Sequence, residues 1–232
     1  PMIPLRDTVP ARRFPIVNTA FIGLNVLVFL FEYALGPQQQ EQFIQLWGLV
    51  PVRLWEVGGL GGWLPLFTSM FLHGGWWHLI SNMLALYIFG DNVEDRLGHI
   101  PYIFFYLFSG LAASAAHLEA YRSSAIPTVG ASGAIAGVLG AYLVLYPQAR
   151  VLTLVAIFYF MRIVEIPALI YLGFCFVSQL FYCLFSLAYA DFFQGGGVAW
   201  CAHIGGFVFG LVIVWLFRPR APRTYVDEYQ PW

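Results

Sequence analysis

Between residues 15 and 35 the chain carries one charged side chain, Glu32, and apolar runs of similar length recur almost to its end. A run of about 20 such residues can cross a hydrocarbon core as a helix, where every backbone polar group must be satisfied internally. The composition agrees: 60% of the 232 residues are hydrophobic and 10% charged, against about 25% charged in soluble domains. The chain therefore reads as an integral all-α membrane protein, with room for about six helices and short loops in one domain. Its net charge is -1, and no basic stripe marks a nucleic-acid partner. Cys175, Cys183 and Cys201 lie in apolar segments at no metal-ligand spacing and read as packing thiols.

Taken in order, residues 1–14 form an N-terminal tail with Arg6, Arg12 and Arg13. The first span covers residues 15–35, long enough to remain a span rather than act as a cleaved signal, with Glu32 near enough to its end to reach the interface. Residues 36–73 make a loop of unusual length, and such loops are usually functional. Within it Phe43, Ile44, Leu46, Trp47 and Val50 follow helical spacing, as in an amphipathic helix lying at the membrane surface. Gly58, Gly59, Gly61 and Gly62 are expected to break regular structure after it. The second span is expected at residues 73–89, followed by a polar connection at 90–99, and the third at 101–117. A fourth apolar segment covers 132–146, an interfacial stretch 151–163, a fifth span 166–189 and a sixth 198–217. A glycine-rich loop at 191–197 and a tail at 218–232 complete the layout.

Charge orients it. With both termini in the cytoplasm, Arg6, Arg12, Arg13, Arg96, Arg150, Arg162, Arg218, Arg220 and Arg223 are inside and only Arg53 and Arg122 outside, as the positive-inside rule requires. The short tails favour a prokaryotic cell membrane.

The fourth segment is too short for its place. Fifteen residues reach about 22 Å, below the roughly 30 Å of a hydrocarbon core. Pro147 and Arg150 hold its far end at the interface, so its Ser132 end stops inside the membrane. Non-helical backbone at that depth must be buried in protein or line a wet cavity. The loop leading to Gly130-Ala131-Ser132-Gly133 is thus expected to descend into a hydrated pocket.

Two ribbons of small residues, Ser132/Ala136/Gly140 and Ala202/Gly206/Gly210, would let the fourth and sixth helices approach backbone to backbone. That packing brings Ser132 and His203 within hydrogen-bond reach. A serine opening a helix is most often only a cap, and a single buried histidine is as often structural as chemical. Together they match a nucleophile with its base. His78 and Asn82, four residues apart, share a helix face and could donate to a developing oxyanion with the first backbone N–H groups of the fourth helix. With no acidic residue set to orient His203, the pair forms a dyad unless Asp191 reaches in. His73, His78 and His203 lack a carboxylate at ligand spacing, so no metal and no other cofactor is expected.

Three stretches then carry a resemblance: Phe71-Leu72-His73 through His78-Leu79-Ile80-Ser81-Asn82-Met83, Gly130-Ala131-Ser132-Gly133-Ala134, and Ala202-His203-Ile204-Gly205-Gly206 continuing to Gly210. The chain resembles the rhomboid intramembrane serine proteases over residues 15–217, with the motifs on helices two, four and six in the family's order. The resemblance implies a six-transmembrane-helix bundle whose long first loop is partly embedded in the membrane. It implies Ser132 as nucleophile, His203 as general base, and His78, Asn82 and the Ser132 N–H as oxyanion hole. It further implies that helix five and the 191–197 loop gate and cap the site. Substrates would be transmembrane proteins cut near the extracytoplasmic face, with lipid the other partner; oligomeric state stays open. Two positions depart from the family pattern: Leu64 follows Trp63 where many relatives have arginine, and Ala136 stands where many place an aromatic ring against the histidine, making Phe207 a candidate substitute. A non-catalytic family member would lack the nucleophile or the base, and a transporter would carry a repeat or a charged pathway.

Overall fold

The computed structural model describes residues 2–57, 59–157, 160–189 and 198–217. A strand, β1 (Met2–Asp7), precedes helix α1 (Ile16–Ala34). The long loop holds four short helices, α2 (Pro37–Trp47), α3 (Pro51–Val57), α4 (Gly59–Trp63) and α5 (Pro65–Thr68), and a 3-10 turn at Ser69–Phe71. Helices α6 (Trp76–Leu97), α7 (His99–Ala120) and α8 (Ser132–Leu145) follow. Strands β2 (Arg150–Ile157) and β3 (Phe160–Pro167) then lead into α9 (Ala168–Ala188), and α10 (Trp200–Leu216) ends the described chain.

By length and composition α1, α7 and α9 can each cross a membrane, while α8 and α10 are apolar but shorter. Helix α6 has the length, but Asp91, Glu94, Asp95 and Arg96 crowd its last turns. Those residues belong to the helix, not to the polar connection expected at 90–99. The reason is tertiary. Pro15 at the start of α1 offers no side-chain cap, leaving its first N–H groups without intrahelical partners. The buried Glu94 carboxylate supplies the cap from a different helix, accepting from the N–H of Val17 at 2.9 Å and of Asn18 at 2.7 Å. Gly90 lets α1 close in, since a Cβ there would stand 2.1 Å from Asn18 Oδ1. Glu32 also departs from expectation: it is fully buried, and its carboxylate accepts from the His73 backbone N–H.

The N-terminal residues are not a free tail, and the described part of residues 151–163 is β-strand. Strands β1, β2 and β3 form one antiparallel sheet in that order, with Asp7 opposite Val151 and Leu154 opposite Ile163. Alternation explains it: Val151 and Thr153 are fully buried, while Leu152 and Leu154 on the other face are only half-buried. The β1–β2 partners lie more than 140 residues apart, beyond what local hydropathy reads. Asp7 fastens the sheet to the bundle, its Oδ2 accepting from Asn92 Nδ2 at 2.9 Å and from the Tyr142 hydroxyl at 2.5 Å.

Burial raises the Asp7 carboxyl to about 6, with the Tyr142 hydrogen bond pulling it partly back. A raised carboxyl stabilises the fold fully below its unfolded value near 3.8, and that contribution is lost as pH rises through about 6. Asp7→Asn keeps an acceptor without the charge. It is expected to flatten the fall in stability between pH 4 and 7 and to stabilise the protein at pH 7 by about 1 kcal/mol, after discounting for partial exposure. Unfolding in mixed micelles across that range measures it; a wild type with no fall there would contradict the assignment.

Helices α8 and α10 make the closest approach. A Cβ on Gly210 would lie 1.9 Å from the Gly137 carbonyl oxygen, one on Gly206 2.0 Å from that of Gly133, and one on Gly140 2.2 Å from that of Phe207. The α10 ribbon is as expected. On α8 the expected Gly140 is in the contact, and Gly133 and Gly137, outside the expected ribbon, join it through their carbonyls. Gly210→Ala must push two backbones apart and is expected to cost about 3 kcal/mol, read as a lower unfolding midpoint. A change below about 0.5 kcal/mol would refute this packing.

The cysteines are not all packing thiols. Cys183 of α9 and Cys201 of α10 form a disulfide, and only Cys175 is free. Pairing depends on how α9 lies along α10, which spacing in the sequence does not state.

Candidate active site

Ser132 is the first residue of α8, preceded by Ala131 in helical conformation with no side-chain cap. The approach to it is pinned from the long first loop. Leu49 and Thr128 exchange backbone hydrogen bonds of 3.0 and 2.8 Å, the Val52 N–H donates to the Ser124 carbonyl, and the Gly130 N–H donates to the Ser69 carbonyl at 2.8 Å. Thr128 Oγ1 lies 2.8 Å from His117 Nε2. Gly130 has φ +128°, and a Cβ there would meet His78 Nε2 at 2.6 Å. Glycine is thus required both by conformation and by the close approach of the imidazole.

His203 lies in the first turn of α10, and its Nε2 stands 2.7 Å from Ser132 Oγ. With the ring proton on Nδ1, Nε2 accepts from the serine hydroxyl. The aromatic neighbour of His203 is not Phe207, whose ring packs on Phe176 at 4.8 Å. It is Trp200, edge-on at 6.0 Å. Ala136 is buried, so the ring that would have come from α8 is replaced by one from a residue three positions before the histidine. Asp191 lies outside the described residues.

His78 and Asn82 line the same cavity as Ser132 and His203. It measures about 730 Å³, within the range of small-molecule and peptide sites, and its rim carries Trp76 and Trp77. The Asn82 side-chain amide donates to His73 Nε2 at 3.0 Å, which leaves its second hydrogen for the cavity. His73 lies before α6, not inside a span, and its ring meets that of His78 edge-on at 5.0 Å. The chain Glu32, His73, Asn82 therefore orients one wall of the cavity. Glu32 was visible in the sequence as the sole charge in an apolar run, a signal of function or internal pairing, but its partner was not.

The four expected residues, Ser132, His203, His78 and Asn82, are thus brought together, and the cavity holds a serine hydroxyl, an acceptor nitrogen beside it and donors opposite. Such an arrangement can move a proton off the serine and stabilise negative charge on an adjacent oxygen. Fold and site together define a helical membrane protein with a polar serine–histidine cluster at the end of a short central helix. The chain belongs to the rhomboid family: the Rhomboid domain matches residues 60–220. It is 28% identical over 209 residues to Rhomboid-like protein 11, chloroplastic, of Arabidopsis thaliana, covering 88% of this chain and 69% of that one. It is 30% identical over 201 residues to Rhomboid protein 1, mitochondrial, of Saccharomyces cerevisiae, covering 84% and 51%. With the Rhomboid protease GluP of Bacillus subtilis it shares 33% over 129 residues, covering 56% and 24%. The chain thus spans about half the yeast relative and a quarter of the Bacillus protease.

Proposed function

We propose that this protein is an intramembrane serine endopeptidase that cleaves transmembrane proteins through a Ser132–His203 dyad. The observation that carries the reading is the 2.7 Å approach of His203 Nε2 to Ser132 Oγ inside a cavity walled by apolar helices. His203 takes the serine proton as Oγ attacks the scissile carbonyl, then returns it to the leaving amine, and water hydrolyses the acyl-enzyme. His78, Asn82 and the Ser132 N–H at the start of α8 stabilise the oxyanion, helped by the positive end of the helix. The protease class is supported by relatives named as proteases, GluP among them.

The catalytic domain covers residues 15–217, with α1, α6, α7, α8, α9 and α10 as six spans; the N-terminal segment joins it through β1, and the C-terminal tail at 218–232 lies outside the described residues. The long first loop lies partly in the membrane, and α9 gates the site; the 191–197 loop expected to cap it lies outside the described residues. Both termini are on the cytoplasmic side and the site faces the opposite one. Two features support that orientation: basic residues crowd the sheet end, and the disulfide is at the site end, where an oxidising compartment would preserve it. Relatives named as chloroplastic and mitochondrial leave the choice of membrane to localisation in cells.

A fluorophosphonate probe tests the reading. The purified protein in detergent is expected to be labelled on Ser132 and, in proteoliposomes, to cut a single-span substrate near its extracytoplasmic end. Labelling elsewhere, or none with a well-folded protein, would overturn it.

A further inference from the structure

His203 lies between two anchors. On its C-terminal side, Gly206 and Gly210 lock α10 against α8, as the forbidden Cβ positions require. On its N-terminal side the helix start is poorly held by its own backbone. Ala199 gives no side-chain cap, the Trp200 N–H donates among the described residues to the Val198 carbonyl, and the His203 N–H meets the Ala199 carbonyl at a long 3.3 Å. Uncapped first turns fray. Two contacts from α9 secure this one: the Cys183–Cys201 disulfide, two residues from the histidine, and the Tyr182 ring stacked on Trp200 at 4.9 Å. Tyr121, the residue after α7, meets both sides of the bond, its hydroxyl 2.6 Å from Ser186 Oγ of α9 and 3.9 Å from Cys201 Sγ of α10. Both cysteines are buried, so the bond sits in the packing that supports the base and not on the surface.

We propose that the Cys183–Cys201 bond is a positioning element for His203, and that catalysis consequently depends on its oxidation state; this rests on the protease reading above. Closed, the bond fixes the first turn of α10, so Nε2 stays within reach of Ser132 Oγ. Opened, the N-terminal side of the turn loses its covalent tie and keeps the Tyr182–Trp200 ring contact, and a displacement on the order of 1 Å at a reacting atom lowers rates by up to about 100-fold. The opening is a two-electron reduction. With a trialkylphosphine as reductant, the S–S bond breaks, each sulfur gains a proton, and the phosphine takes the oxygen of one water to become the phosphine oxide.

The test compares oxidised, phosphine-reduced and reoxidised wild-type protein in detergent, well below its unfolding temperature, with alkylation and mass measurement reporting the bond. Reduction is expected to slow fluorophosphonate labelling of Ser132 and kcat for a transmembrane substrate by about tenfold, with KM within about twofold. Reoxidation by oxidised glutathione should restore both. Cys183→Ser should behave as the reduced protein in every buffer, and Cys175→Ala as wild type. Equal labelling rates with the bond open and closed would overturn the proposal while leaving the protease reading intact. A loss of unfolding temperature with unchanged rates would also overturn it, making the bond a brace for stability only. Oxidised protein that neither labels nor cleaves would instead refute the protease reading. Should Cys183→Ser fail to fold, reduction of the folded wild type decides the matter.

Discussion

Ser132→Ala is expected to abolish cleavage of a reconstituted transmembrane substrate, a loss of about 10⁴-fold or more that leaves only assay background. Removing Oγ removes the atom that forms the acyl-enzyme, and no second hydroxyl among the residues lining the cavity stands within hydrogen-bond distance of His203 Nε2. The fold should survive. Ser132 does not cap α8 with its side chain, and the glycine face that binds α8 to α10 runs through Gly133 and Gly137. Unchanged unfolding with lost cleavage and lost fluorophosphonate labelling is the expected pattern. Full residual cleavage would refute Ser132 as nucleophile.

His203→Ala has the second largest expected effect, a fall of about 10² to 10⁴-fold in both labelling and kcat, the range a single general base supplies. The oxyanion donors remain, so some residual activity over background is consistent with the role, in contrast to Ser132→Ala. The substitution also removes the ring against which Trp200 sits edge-on, and unfolding measured in parallel separates loss of the base from loosening of the helix start. Labelling at the wild-type rate would rule His203 out as the base.

The orientation of the base carries a wider point about this fold. Instead of a carboxylate holding the imidazole, the described residues offer Trp200, Cys201 and the glycine contact further along α10. The opposite wall is built on a different plan. There Glu32 holds the His73 N–H, His73 accepts from Asn82, and the donors are set by side chains.

Much of the site was legible in the sequence. The polar residues Ser132, His203, His78 and Asn82 stand out because polar groups in apolar segments are costly and must face one another, and the shortness of α8 with Ser132 at its start was readable from segment length. Phe207 as the ring beside His203 was wrong because helical spacing gives a shared face but not which neighbour fills it; α9 intervenes with Phe176 and claims that ring. Hydropathy weighs a charge by its position along the chain, so it assigns Glu32 to the interface and Glu94 to a loop. Their partners, the backbone N–H groups of His73, Val17 and Asn18, lie 41 to 77 residues away.

The sequence by itself determined a membrane protein built of apolar helices, the short α8 with its serine at the first position, the glycine face of α10 and the four polar residues of the cavity. These follow from local physics: segment length against membrane thickness, side-chain size at helical spacing, and the cost of polar groups in an apolar medium. Tertiary structure alone decided the β1–β2–β3 sheet, the capping of α1 by Glu94, the Glu32–His73–Asn82 chain and the disulfide beside His203. Each joins groups distant along the chain, and only the packing of the helices brings those groups within bonding distance.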